Sequence, residues 1–158
     1  MSADRRARRK IICGRSMKTV AQLLSLKGHQ VVAIAPDTTV LAALKVLADN
    51  NLGAVLVMED ARLVGVFSER DFARKVDLKG KSSANTIVRE VMTREVVCVT
   101  PAHTNEECMA LMTDKRTRHL PVVDNGQVVG VLSIGDLVKD IISEQQFTIR
   151  QLETYIHR

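Results

Sequence analysis

Two rhythms of apolar residues alternate along this chain, and their order is repeated. Val31 to Ala35 is a short apolar run closed by Pro36 and reads as a strand. Thr39 then suits the N-cap of a helix with Val40, Leu44 and Leu47 on its apolar face. Ala54 to Met58, rich in branched residues, predicts a strand that turns at Glu59-Asp60-Ala61 into Leu63 to Phe67, and Glu69 to Val76 predicts a short helix. The same order returns downstream. Val96 to Val99 and Pro101 take the first role, and Thr104-Asn105-Glu106-Glu107 forms a capping box for the next helix. Leu120 to Val123, Asp124-Asn125-Gly126 and Val128 to Leu132 read as a hairpin with Asn-Gly at its turn. Short helices at Val20 to Leu24 and Ile87 to Met92 precede the two units. Beyond them, Ile141, Ile142, Phe147, Leu152, Tyr155 and Ile156 predict an amphipathic helix over 141–158.

The recurrence extends to residue identity. Pro36 to Arg74 aligns without a gap on Pro101 to Lys139, an offset of 65, and nine aligned positions are identical. The expected fold is α/β of the α+β kind, two βαββα units packed on each other plus a C-terminal helix. The boundaries read as an arm 1–16, a first unit 17–76, a Lys/Ser/Gly-rich linker 77–86, a second unit 87–140 and the tail 141–158.

Composition sharpens this. Aromatic residues are only 3%, so Val, Leu, Ile, Ala and Met must build the core, and little surface exists for stacking single-stranded nucleic acid. The net charge of +5 belongs to the arm, which holds six of the 23 basic residues and one of the 18 acidic ones. The remaining 17 of each sign cancel, so the pI near 9.4 describes a tail rather than a binding face. The arm reads as disordered, or as a start placed too early with Met17 opening the protein. No run is long and apolar enough to predict a membrane span or a secretory signal. Cys13, Cys98 and Cys108 form no C-x-x-C pair and suggest no zinc site. Reduced thiols in a cytoplasm account for them, with Cys98 and Cys108 as small core residues.

The candidate chemistry lies in the doubled Gly-Val-x-Ser-x-x-Asp. Ser68 and Ser133 each open a helix, where free N–H groups favour an anion, and the hydroxyl adds a donor for phosphate. Asp71 and Asp136, one turn on, suit the two hydroxyls of a ribose. Gly65 and Gly130 would let a ligand approach the strand. Ser-x-x-Asp is equally a capping box that needs no ligand. Against that, such boxes prefer Glu or Gln at the last place, and both copies keep a Gly three residues before the Ser. Arg118 reads either as a bidentate phosphate clamp or as a solvated loop residue, and Arg70 is a second candidate cation. No phosphate-binding glycine loop, metal cluster or Ser/His/Asp set is recognisable, and nothing points to a catalytic step.

The tandem units, the Arg118-His119-Leu120-Pro121-Val122-Val123-Asp124 segment and the doubled motif resemble a pair of CBS domains, the Bateman module, over about residues 20–140. The segment from Ser143 to Ile156 is similar to the tail of stand-alone bacterial CBS-pair proteins. The resemblance implies a cleft between repeats that binds AMP, ADP, ATP, NAD or S-adenosylmethionine as an effector, with no catalytic cofactor. It places ribose on Asp71 and Asp136, and phosphate on Ser68, Ser133, Arg118 and His119, with Arg70 kept from the residues themselves as a further phosphate candidate. It places the adenine edge at Thr93 with Val97, Val131 and Val66. It also implies a homodimer and a downstream protein partner that the sequence does not identify. Two departures stand out. The first repeat lacks the basic pair, and about three extra residues at Lys27-Gly28-His29 lead into it, so its site is expected to differ. The expectation is thus a cytoplasmic adenine-nucleotide sensor without enzymatic activity. The competing readings are a ligand-free dimerisation scaffold and a nucleic-acid binder working through the arm. Inosine monophosphate dehydrogenase carries the same module, but its catalytic barrel of roughly 250 residues does not fit this length.

Overall fold

The computed structural model describes residues 18–157. The arm 1–16 and Cys13 lie outside them. The first half contains α1 (Val20–Lys27), β1 (Ala33–Ile34), α2 (Val40–Asn50), β2 (Ala54–Glu59), β3 (Arg62–Ser68) and α3 (Glu69–Asp71). The second contains α4 (Val88–Val91), α5 (Asn105–Lys115), β4 (His119–Asp124), β5 (Gln127–Ser133) and α6 (Ile134–Ile156).

Local chemistry explains most of these elements. Thr39 is extended and its Oγ1 accepts from Ala42 N at 3.1 Å, which starts α2. β2 and β3 pair antiparallel, with Asp60 and Ala61 both at positive φ in the turn. β4 and β5 pair the same way, with Asn125 (φ 51°) and Gly126 (φ 78°) as the expected turn. Both hairpins break register at corresponding points, Val57/Met58 and Val122/Val123. The helix expected over Glu69 to Val76 changes character partway, since α3 continues as a π-helical stretch at Phe72–Asp77.

Three expectations need correction. Val96 to Val99 is not a strand, and only Val99 pairs, donating to Pro121 O (3.0 Å) and accepting from Val123 N (2.8 Å). In the first unit β1 lies parallel to β2, and Leu56 N reaches Val32 O at 3.4 Å. Pro121 occupies the position of Leu56 and has no N–H to give Val97. The Thr104 box is half formed. Thr104 Oγ1 accepts from Glu107 N at 3.2 Å, while the Glu107 carboxylate accepts the Thr104 hydroxyl at 3.1 Å. The C-terminal helix is not a separate tail, because α6 runs unbroken for 23 residues from the end of β5.

The two short leading helices exchange places. Val20, Leu23 and Leu24 of α1 are buried among Cys108, Leu120, Val122, Leu132 and Leu137 of the second unit. Val88, Val91 and Met92 of α4 are buried among Val40, Leu47, Val57, Phe67 and Val76 of the first. Backbone bonds fix both exchanges. Val20 N donates to His103 O and Val88 N to Thr38 O, each at 2.8 Å. Lys18 Nζ meets Asp140 Oδ1 at 2.7 Å, and Asn105 Nδ2 donates to Asp140 Oδ2 at 2.8 Å, tying the start of α1 to α5 and α6.

The exchange also explains the two motif glycines. A Cβ on Gly65 would lie 2.6 Å from Met92 Sδ, and one on Gly130 would lie 2.7 Å from Leu24 Cδ2. The space over each strand is filled by a side chain of the visiting helix. Gly65 and Gly130 therefore admit a helix, not the ligand expected from sequence.

Candidate functional site

A cleft of about 470 Å³ opens where the end of β3 and α3 face the segment after α4 and the loop before β4. Val66, Ser68, Arg70, Asp71, Thr93, Val97, Arg118 and His119 all line it. The first repeat supplies the Ser-x-x-Asp motif and the second supplies the basic pair, so the two meet across the repeats. Val131, Ser133 and Asp136 lie on the second motif, outside this lining.

Asp71 is only 7% exposed. Its Oδ2 accepts from Ser68 N and Ser68 Oγ, both at 3.0 Å. Its Oδ1 accepts from Thr93 Oγ1 at 3.1 Å and meets Lys75 Nζ at 3.0 Å. Asp71 N donates back to Ser68 Oγ at 3.2 Å, so the motif is a complete capping box. About four lone-pair sites of the carboxylate are thus engaged. The half-exposed Lys75 also donates to Val91 O at 3.1 Å, while the Ser68 bonds hold the helix start and Thr93 is anchored by backbone bonds to Val66.

Ser133 and Asp136 form the same box, with Ser133 N donating to Asp136 Oδ2 at 2.8 Å. The surroundings differ. Lys27 Nζ lies 2.6 Å from Asp136 Oδ2 and donates to Val131 O at 2.7 Å. Burial pushes the Asp136 carboxyl up, but hydrogen bonds from Lys27 and Ser133 and the Lys27 charge outweigh it and hold the group below its usual range. His29 Nδ1 sits 3.1 Å from Val129 O. The insertion at Lys27-Gly28-His29 was expected to alter the first repeat, yet the helix exchange delivers it to the second motif. In the first repeat the corresponding strand edge is met by backbone, with Thr93 N donating to Val66 O at 2.9 Å.

His119 stands between these regions, its ring close to the backbone of Gly53. Burial lowers its pKa, aided by Lys27 and Arg118 and opposed by Asp136, so it enters the cleft as a neutral ring at pH 7. Arg70, Arg74, Lys75, Lys115, Arg116 and Arg118 face only Glu69, Asp71 and Glu95, which makes the cleft electropositive. Sequence reasoning named Arg70 and Arg118 and missed the others. The signal for Arg74 was available, since it follows Arg70 by one helical turn. Cys98 is exposed rather than in the core. Cys108 is buried, and its thiol is pushed up to about 11 by burial and by Glu107, which leaves it inert. Among the described residues no cluster of three His, Cys, Asp or Glu is placed to hold a metal, and no helix is long and apolar enough to cross a membrane.

A family model described as the CBS domain matches this chain twice, at residues 25–77 and 88–143. The CBS domain-containing protein CBSX3, mitochondrial, of Arabidopsis thaliana is 38% identical over 125 residues, which cover 76% of this chain and 61% of that protein. A solved structure of the CBS domain protein NE2398 is 57% identical, covering 80% of this chain and 98% of its own, with a TM-score of 0.78. The CBS pair of MJ0100, solved with 5′-methylthioadenosine and S-adenosyl-L-methionine, shares the fold at a TM-score of 0.72 and 20% identity, covering 81% of this chain and 98% of its own.

Proposed function

Because this chain belongs to the CBS-domain family, we propose that it binds an adenosine-containing ligand in the Asp71 cleft and signals occupancy to a partner. One observation carries the reading. A buried carboxylate suited to a ribose diol faces Arg118 and His119, contributed by the opposite repeat, across one electropositive cleft. In this reading Asp71 holds the ribose. Ser68, Arg70, Arg118 and His119 hold phosphate, and Thr93, Val66 and Val97 border the adenine. The ligands that fit are AMP, ADP, ATP and NAD. The adenosine compounds bound by MJ0100 on the same fold support the class. Ser133, Asp136 and Val131 form the matching second site, which is weaker because Gly53 and Ala54 stand in the first repeat where the second has Arg118 and His119.

In this reading the role is regulatory rather than enzymatic. Ligand bridging the repeats favours one packing of them over another, and a partner reads that packing. The partner is a protein not identified by the chain, the chain itself is a homodimer, and the setting is the cytoplasm.

Binding is tested by thermal shift and calorimetry with adenosine, AMP, ADP, ATP and NAD. A ligand at about 100 times its Kd should add about 2.7 kcal/mol to native-state stability. Asp71→Ala should weaken adenosine and AMP alike. Arg118→Ala should weaken AMP by about 10–100-fold, the scale of a charge-assisted contact, and leave adenosine nearly unchanged. Absence of any shift with every adenosine compound at about millimolar concentration, a level that saturates weak sites, overturns the reading.

A further inference from the structure

The second half of α6 leaves the body of the protein with an apolar stripe uncovered. Leu137 and Ile134 are its contributions to the second core, and none comes from beyond them. Val138, Ile142, Ile149, Leu152 and Ile156 are exposed by 39, 48, 54, 56 and 73%. With Gln145 they are spaced alternately by four and three residues, a heptad seam of 3.5-residue period. Ile142, Ile149 and Ile156 occupy position a, and Val138, Gln145 and Leu152 occupy position d. The seam begins on the docked part of the helix and runs to its end. Residues 145–156 alone are too few to be a stable isolated helix in water, where about 12–15 residues remain marginal.

We infer that α6 pairs along this seam with α6 of a second copy of the chain, in antiparallel orientation. The a positions are all Ile and the d positions are Val, Gln and Leu, and a heptad seam is matched in period by its own copy. Charge decides the direction. Lys139 and Glu153 are the only charged residues at e and g positions flanking the seam, and both are at e. In a parallel pair e faces g, and neither charge meets the other. In an antiparallel pair e faces e, and the register that layers Ile142 on Leu152 of the second copy also sets Lys139 beside its Glu153. That register places Gln145 against Ile149 and Val138 against Ile156. It also puts the two bodies at opposite ends of the helix pair, where they do not crowd each other. Lys139 and Glu153 are both exposed, and neither has an ion-pair partner in its own chain among the described residues.

The test uses the full chain with Cys13→Ser and Cys98→Ser. Light scattering should give a dimer, and Ile149→Asp should raise its dissociation constant by about 100-fold or more, as expected for a charge in a coiled-coil seam. Ile149 is 54% exposed and belongs to neither core, so that variant should keep the native circular dichroism. Under mild oxidation Ile142→Cys/Leu152→Cys should yield a reducible covalent dimer, and Ile149→Cys alone should not. Lys139→Glu should loosen the dimer by about 10-fold, and Lys139→Glu/Glu153→Lys should restore it, as paired e-position charges set orientation. A monomeric full chain, a dimer indifferent to Ile149→Asp, or crosslinking of Ile149→Cys instead of the double variant each overturns the inference.

Discussion

Lys27 shows how two copies of a motif are neutralised by different routes. Its ammonium, 2.6 Å from Asp136 Oδ2, comes from the visiting α1, whereas Asp71 meets Lys75 of its own helical segment at 3.0 Å. The Asp136 carboxyl titrates below its unfolded value, where a free Asp lies near 3.9. Its contribution to stability is therefore present above that unfolded value and is lost as pH falls through the lower folded one. Lys27→Met should be most destabilising at neutral pH, with the deficit shrinking as the medium is acidified below about pH 4, the unfolded Asp range. Urea melts of both proteins at pH 7 and in that acid range check this. A deficit that does not change with pH would show that the pair contributes nothing. The same variant frees Asp136, so calorimetry should reveal the second adenosine site tightening while the Asp71 site stays as it was.

At the scale of elements, much was legible because its causes are local. Thr39 and the two Ser-x-x-Asp starts could be read because caps act within three residues. The β4–β5 hairpin could be read because strand alternation and the Asn125-Gly126 turn are written side by side. What escaped reading has non-local causes. Pro121 removes the donor that a strand at Val96 to Val99 would need, and it does so from a neighbouring strand. Lys27 was invisible as a partner of Asp136 because the 65-residue offset carries no information about which helix visits which core. The motif glycines were noticed, but their role depended on that same exchange. Gly130→Ala should cost about 1–3 kcal/mol, the scale of overpacking a filled core, because Leu24 opposite it is 1% exposed and has nowhere to move. Gly65→Ala should do the same and also weaken adenosine binding. Its Cβ would come within 3.0 Å of Thr93 O, on the residue that bonds Asp71. Chemical denaturation and calorimetry on the pair separate the two effects. Equal binding by Gly65→Ala and the parent would detach Thr93 from the site.

On the scale of the whole molecule, the exchange of α1 and α4 makes each core depend on residues from the far side of the linker. Residues 77–82 of that linker are exposed, and Lys79 and Lys81 flank a Gly80 with open space around it. The covalent thread there is exposed, while the clasped helices on either side bury Val20, Leu23 and Leu24 in one core and Val88 and Val91 in the other. Within residues 18–157, brief trypsin treatment of the native protein should cut this thread first. The two fragments should nevertheless travel together through a sizing column, and part only in denaturant. In that respect the protein is a heterodimer written on a single polypeptide: severing it leaves each half still holding the other's missing helix.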